Sequence, residues 1–599
     1  MSRRSNDPAS AAADPIAAPA TGGAASEAPA RAPVPGLIPG EGPGGVPAAA
    51  PGEVPHGAAR ADRGTTAATP PWGSIPAGLQ GLAARLAGLR GWRADWAALL
   101  LGLVSAAALP PVFALPALLV AVPGLLLLIA GARSVAVAAR RGFWFGFGCN
   151  LVGLYWITEA ILVEAAKFWW LVPLAVPALA AVLAVFIAFA AAAAKLAAPG
   201  WPRVFALAGA WVLGDLARQF AFTGFPWNLW GSDWEFPGRL GDVFIQPAAL
   251  VSIHGLTLAT LLLAAAPLLG WRWRAAGAAL LAAWAGFGLL RLAPPLPPGP
   301  GLTAVLVQGD VAEGQKWNQA LALKIFERYL ALTRSGVAEA AAGGAAGRTL
   351  VVWPETASPY LLASEPGVRR TIAAAAGGTP GRTVALVGAV RFGARRRPRN
   401  SMFALTGSGR TVGVYDKWHL VPFGEYQPGW FPLPIQVVPG GGFVPGPGPR
   451  TLHVPGLPPV GPLICYEAIF PGEVIDARDR PAFMVNITND AWFGESTGPR
   501  QHLAAARMRA VETGLPLLRA ANTGISAVFD ARGHTLARLG LSRTGVVVAP
   551  VGGALPATLF ARFGLSIPLG LALGALAAGW LGGAPRRRRM SRLSGPGFR

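Results

Sequence analysis

Three polar residues in the second half of the chain stand where a thiol-based acyl transfer would need them. Glu355 follows the run TLVVW in the segment Trp353–Pro354–Glu355, Lys417 follows TVGVYD, and Cys465 follows VGPLI. Each run reads as a strand, and what comes after it is polar or turn-forming; α/β sheets present their sites just beyond strand ends. Transfer through a thioester needs a thiolate to attack a carbonyl, a base to take the thiol proton and a positive group for the oxyanion. Cys465, Glu355 and Lys417 supply one of each. A carboxylate is a weak base for a thiol of pKa about 8.5, so it must be desolvated, and a neighbouring ammonium favours the thiolate. Spacing alone does not single these residues out. Any α/β domain contains a Glu and a Lys, and a free Cys is usually a small buried hydrophobe.

The elements that must hold them are legible from residue 301 onward. Short β-branched runs occur at 303–307, 349–353, 383–389, 401–405, 411–415, 459–464, 483–487, 516–521 and 525–529. Helical patterns lie between some of them, at about 316–341, 366–376 and 500–513. Strands mixed with amphipathic helices over this length predict a layered α/β domain. The segment PPLPPGP at 294–300 reads as a stiff linker in front of it.

Before the linker the pattern is of another kind. The 599 residues are 53% hydrophobic and only 13% charged, against about 25% charged in a soluble protein. Lys and Arg exceed Asp and Glu by 51 to 29, with the bases at the ends of apolar runs, which points to orientation in a membrane rather than to nucleic acid. A span needs about 20 apolar residues. The stretch 94–132 is too long for one crossing and is split by Pro110–Pro111; others lie at about 142–163, 168–198, 203–221, 244–270, 272–293 and 564–584. That is about eight transmembrane helices in a membrane α-helical bundle. Arg85, Arg90 and Arg93, then Arg133, Arg140 and Arg141, Lys195 and Arg203, Arg272 and Arg274, and Arg586 to Arg589 fall on one side. Lys167 and Arg239 are alone on the other, so both termini are expected in the cytoplasm and 295–560 outside it. Two acids, Glu159 and Asp215, fall within these spans, and Asp215 can pair with Arg218 one turn later.

The domains expected are therefore five. Residues 1–90 form an Ala/Pro/Gly-rich disordered extension ending in a short basic amphipathic segment. Residues 91–293 form the bundle, 294–560 the catalytic domain, 561–585 the last span and 586–599 a basic tail. The two cysteines are too far apart in kind for a disulfide framework; Cys149, in FWFGFGCN, reads as helix packing.

The local motifs go further than the spacing. WPE at 353–355, YDKWHLVPFGEY at 415–426 and ICYE at 464–467 resemble the carbon–nitrogen hydrolase (nitrilase) superfamily, and more narrowly the apolipoprotein N-acyltransferases. Over about 90–585 the resemblance also takes in VQGD at 307–310, TGFPWN at 223–228, NDAWFG at 489–494, GPRQHLAAARMRA at 498–510 and RAANTGIS at 519–526. It implies a nitrilase-like αββα sandwich with Cys465 as nucleophile, Glu355 as general base and Lys417 as oxyanion stabiliser. Glu425 matches a further essential acid, Tyr466 and Glu467 match positions that shape the site, and Trp317 matches a tryptophan near the acyl-binding region. Read without the resemblance, Glu425 is an ion-pair partner of Lys417, Trp317 is core, and His419, His502 and Arg507 are packing or structural residues.

The resemblance implies an acyltransferase of the bacterial cytoplasmic (inner) membrane that needs no metal and no cofactor. Its acyl donor is a membrane phospholipid, cleaved at sn-1, and its acceptor is the α-amino group of the diacylglyceryl-cysteine of an apolipoprotein. A membrane-tethered nitrilase-type amidohydrolase is the first rival, but it would need one anchor and not a bundle. A non-catalytic lipoprotein-binding scaffold is the second, and the intact triad argues against it. A transporter has little support, with few charges in the spans.

Overall fold

A computed structural model describes residues 77–582 apart from 164, 317, 345–346, 380, 394–395, 430 and 433–441. Trp317, and the parts of the expected extension and tail before 77 and after 582, lie outside the described residues.

Among the described residues from 302 to 550 there are eleven strands: β1 (Leu302–Gln308), β2 (Arg348–Val352), β3 (Thr383–Phe392), β4 (Pro398–Thr406), β5 (Thr411–Asp416), β6 (Val460–Ile464), β7 (Phe483–Thr488), β8 (Leu517–Ala521), β9 (Ser526–Phe529), β10 (Thr535–Leu539) and β11 (Gly545–Pro550). They form two sheets, ordered β11-β1-β2-β3-β4-β5 and β10-β9-β8-β7-β6. β1, β2 and β3 are parallel, as are β6, β7 and β8, while β4, β9, β10 and β11 each run antiparallel to a neighbour. The two sheets face each other across an apolar layer in which Leu306, Val352 and Leu386 of one share a cluster with Ile464, Val485 and Leu518 of the other. Helices Ala322–Ala342 and Pro366–Ala375 cover the outer face of the first sheet through Ile325, Phe326, Tyr329 and Ile372. Helix Gly498–Thr513 covers the second through Ala506 and Ala510. This is the expected αββα sandwich. Strands β1, β2, β7 and β8 inside the sheets, and the end strand β6, are covered on both faces, hence their near-continuous apolar runs.

Two strands, β10 and β11, are absent from the sequence expectation. β10 is an edge strand whose Thr535, Leu536 and Arg538 are exposed, so its sequence TLARL carries no buried stripe.

Ahead of the sandwich, helices occupy the segments read as spans: Gly91–Ser105, Leu118–Ala130, Val135–Gly153, Val172–Leu196, Trp201–Phe220, Ala248–Ala265 and Trp271–Leu292, with Ser566–Leu581 after it. Helix Ala77–Gly88 occupies the short basic segment. Among the described residues three stretches are both long and apolar enough to cross a membrane, Ala165–Leu196, Ala248–Leu268 and Trp271–Leu292. The others are shorter or carry charge, such as Arg203, Asp215 and Arg218 in Trp201–Phe220. Asp215 and Arg218 pair at 2.9 Å and are buried. Small residues let these helices approach closely. A Cβ on Gly102 would lie 2.0 Å from the carbonyl oxygen of Phe145, so only glycine fits that crossing.

The bundle touches the sandwich along a seam of hydrogen bonds. Tyr466 donates its hydroxyl to the carbonyl of Gly224 (2.7 Å), and Trp227 Nε1–H donates to Gln501 Oε1 (2.8 Å). Gln219 Nε2–H donates to Glu473 Oε1 (2.8 Å), and Glu512 Oε1 accepts from Ser252 Oγ and the amide of Ile253 at 2.7 and 2.9 Å. The segment TGFPWN at 223–228 thus lies against the turn that begins at Cys465.

Candidate active site

β5 is antiparallel to β4, which is antiparallel to β3, so β2 and β5 point the same way and their C-terminal ends share one edge of the sheet. Glu355 and Lys417 follow those ends. Pro354 stops β2 because it has no amide to give the ladder, and the Pro354–Glu355 turn then lies on β3. A Cβ on Gly388 there would stand 2.1 Å from the carbonyl oxygen of Pro354, so this strand position has to be glycine. Lys417 is fixed by its own amide, which donates to the carbonyl of Asn400 in β4 (2.8 Å). Cys465 comes from the other sheet, as the first residue after β6 and of the 3-10 turn Cys465–Ile469.

Lys417 is fully buried between two carboxylates. Its Nζ lies 3.0 Å from Glu355 Oε1 and 2.8 Å from Glu425 Oε2. Asn400, which the sequence did not flag, completes the group. Its Nδ2 donates one hydrogen to Glu355 Oε1 (2.7 Å) and the other to Glu425 Oε1 (2.9 Å). Lys316 Nζ donates to the backbone carbonyl of Glu355 (3.1 Å). The cation is therefore tied down by two anions, and the anions are tied to each other through one amide. Burial works against the charge on Lys417, but Glu355 and Glu425 hold it well above the ordinary lysine range. Burial likewise works against the Glu355 charge, and Lys417, then Lys316, hold its carboxyl below the ordinary value. A buried ion group of this sort is stable only while every member is present.

Cys465 has φ +51°, in the left-handed region, which costs a non-glycine residue about 1–2 kcal/mol. The side chain is 6% exposed. Burial, and then the negative charge of Glu355, push its thiol up to about 12, against the opposing pull of Lys417. The resting group is a thiol, not the thiolate that a neighbouring ammonium alone would give. Moving the thiol proton to Glu355 removes the charge that opposes the thiolate and leaves Lys417 facing the new anion.

The remaining sequence-predicted residues divide by what they touch. Glu467 faces backbone and ring hydroxyl: Oε1 accepts from the amide of Trp418 (2.7 Å), and Oε2 accepts from the amide of Ile464 (2.6 Å) and the hydroxyl of Tyr415 (3.0 Å). One carboxylate therefore ties the turn carrying the cysteine to the loop carrying the lysine. Tyr466 points to the bundle, against Gly224, Phe225 and Phe470. Glu425 is more than a partner of Lys417, because its Oε2 also accepts from the amide of Val421 (2.8 Å), closing its own loop. His419 stacks on Phe470 at 3.7 Å and meets Glu473 Oε2 at 2.9 Å. Arg507 donates to Asp242 Oδ1 and the carbonyls of Glu235 and Gly533, at the seam with the bundle.

A second buried charge group, His502, Asp490 and Arg519, lies behind Cys465. The sequence read His502 as structural and did not single out Asp490 or Arg519, although all three lie in the quoted segments 489–494, 498–510 and 519–526.

Comparison with known proteins agrees with this architecture. Residues 314–554 match the family model described as Carbon-nitrogen hydrolase. The sandwich is thus a carbon–nitrogen hydrolase domain. Residues 101–266 match the model described as Apolipoprotein N-acyltransferase N-terminal domain. The chain is 40% identical over 507 residues to the Apolipoprotein N-acyltransferase of Bradyrhizobium diazoefficiens, covering 79% of this chain and 92% of that one. It is 38% identical over 506 residues to that of Rhodopseudomonas palustris, with the same coverage of each. The chain belongs to the apolipoprotein N-acyltransferase family. Among solved structures, the NitN amidase from Neterenkonia sp. AN1 is similar at 20% identity and a TM-score of 0.31, covering 44% of this chain and 95% of that one.

Proposed function

We propose that this chain N-acylates the N-terminal diacylglyceryl-cysteine of lipoproteins, using a phospholipid as acyl donor and Cys465 as the carrier. The observation that carries the reading is Lys417 held between Glu355 and Glu425 beside a strained, buried cysteine. In the first half-reaction the Cys465 sulfur attacks the sn-1 ester carbonyl while its proton passes to Glu355. Lys417 faces the tetrahedral oxyanion. The carbon–oxygen bond then breaks, Glu355 returns its proton to the departing lysophospholipid oxygen, and a thioester remains. In the second half-reaction the free amine attacks the thioester, Glu355 takes the amine proton, the carbon–sulfur bond breaks with an amide formed, and Glu355 returns the proton to the leaving sulfur. Glu425 and Asn400 keep Lys417 and Glu355 in place throughout.

The bundle follows from the substrates. Each acyl chain is held in the bilayer by about 0.8 kcal/mol per buried CH₂, so the site has to come to the membrane. The loop at 223–228 against Tyr466 supports a site that faces the bundle. The Arg and Lys distribution favours about eight crossings, both termini in the cytoplasm and residues 294–560 on the outer side of the cytoplasmic membrane. In that arrangement 1–90 and 586–599 are cytoplasmic, 91–293 is the bundle and 561–585 the last span. Trp317, adjacent to Lys316, is assigned to the acyl-binding region.

The test is to give the purified protein labelled phospholipid and a diacylated lipopeptide. The expected product is an acyl amide on the lipopeptide, with little free fatty acid. Free fatty acid at the same rate with and without lipopeptide would instead make it a hydrolase.

A further inference from the structure

Behind Cys465 lies a group of buried charges to which the mechanism above assigns no part. His502 in helix Gly498–Thr513, Asp490 after β7 and Arg519 in β8 are all completely buried. Asp490 accepts from Arg519 on one oxygen (Oδ2, 2.8 Å), and its other oxygen (Oδ1) lies 2.8 Å from His502 Nδ1, which Arg519 Nη2 also approaches at 3.1 Å. Arg519 also donates to Asn486 Oδ1 (2.5 Å). His502 Nε2 lies 3.1 Å from the backbone carbonyl oxygen of Cys465. A carbonyl can only accept, so Nε2 carries a proton and donates it there. Asn486 Nδ2 reaches the same oxygen at the longer distance of 3.5 Å.

That carbonyl belongs to the residue with φ +51°. A left-handed cysteine persists only where its surroundings over-determine it. In a trans peptide the C=O and N–H point to opposite sides, so fixing the oxygen of Cys465 also fixes the direction of the Tyr466 amide and the plane from which Sγ projects. We propose that His502 is a positioning residue: its Nε2–H clamps the carbonyl of Cys465, and the Asp490–Arg519 pair aims and anchors the ring. His502 touches neither substrate nor thiol. It acts through the backbone of the nucleophile, and the inference therefore rests on the reading of Cys465 as the acyl carrier.

Two amide substitutions separate this role from ordinary packing. In His502→Gln the side-chain NH₂ stands near the place of Nε2 and keeps a donor for the carbonyl of Cys465, while the contact with Asp490 is lost. In His502→Asn the NH₂ stands near the place of Nδ1, so the Asp490 contact is kept and the clamp is lost. Rates of acyl transfer from phospholipid to Cys465 are measured as a function of phospholipid concentration, with thermal unfolding of the same samples. The clamp predicts His502→Gln within about tenfold of wild type. It predicts His502→Asn about 100-fold slower in kcat with KM little changed, the loss expected of a reacting atom displaced by about 1 Å. The opposite order, wild-type rates in both, or equal loss in both through inactivity or unfolding, overturns the inference. Absence of label on wild-type Cys465 would instead remove the acyl-carrier reading on which it stands.

Discussion

Replacing Glu467 by Gln tests how the two sheets are held in register at the site. The wild-type carboxylate accepts three donors on two oxygens, from Ile464 (2.6 Å), Trp418 (2.7 Å) and Tyr415 (3.0 Å), and is 1% exposed. Glutamine has one acceptor oxygen. If that oxygen keeps Ile464 and Tyr415, the NH₂ group is set against the amide of Trp418, donor to donor. One hydrogen bond is then lost, and a buried N–H is left without a partner, at about 1–3 kcal/mol. Allowing for relaxation, roughly 2–4 kcal/mol of stability is expected to go, which for a domain of this size is a fall in Tm of roughly 5–10 °C. The gap opens between Trp418 and Ile464, next to Lys417 and Cys465, so the catalytic distance changes as well. A displacement of about 1 Å costs about 100-fold in rate. The assay is acyl-enzyme formation from labelled phospholipid at a temperature well below both transitions, beside thermal unfolding in detergent. Tyr415→Phe removes one donor and leaves no unmatched group, so its effect on both readouts is expected to be several-fold smaller. If Glu467→Gln matched wild type in rate and in Tm, the carboxylate would not be the tie between the two loops.

Glu355→Gln should slow acylation by about 10²–10⁴, the usual worth of a general base. The same change should move the titration of the Cys465 thiol down from about 12, since a negative charge that opposes the thiolate is gone; the pH profile of alkylation at Cys465, followed by mass spectrometry, reads this, and a midpoint unchanged or raised contradicts it. Lys417→Met leaves Glu355 and Glu425 buried around Asn400 with no cation between them, at about 3–5 kcal/mol; a variant as heat-stable as wild type would refute that account of the ion group. Acid should weaken the fold through Asp490, whose carboxyl Arg519 and then His502 hold at about 2 despite burial, against 3.8 for the free group. The unfolded state takes the proton first, so roughly 2 kcal/mol is present above about pH 4 and is lost as pH falls through 2; Asp490→Asn should flatten stability over that window in fluorescence-monitored unfolding.

Ending a strand made Glu355, Lys417 and Cys465 candidates, but the motifs WPE, YDKWHLVPFGEY and ICYE singled them out. The runs before Glu355 and Cys465 are buried strands, the run TVGVYD is a half-buried edge strand, and the sandwich brings their ends together. Asn400 was not legible. It sits inside the β4 sequence PRNSMFALT, and only the antiparallel pairing of β4 with β5 brings its amide between two acids that come from distant segments. The electrostatics at Cys465 also needed the fold, because an ammonium nearby favours the thiolate while burial and Glu355 outweigh it. The pairing of Asp215 with Arg218 was readable from helical spacing alone. β10 escaped because an exposed edge strand carries no alternation to read.

The central claim is that an acyl chain passes through the sulfur of Cys465. The direct measurement is to incubate the protein with phospholipid of defined acyl length and no acceptor, quench in acid, digest, and weigh the peptide that contains residue 465. The account predicts a mass increase of one acyl group on that peptide, removed by hydroxylamine and absent from Cys465→Ser treated in the same way. An unmodified Cys465 peptide in a preparation that still acylates added lipopeptide would contradict it.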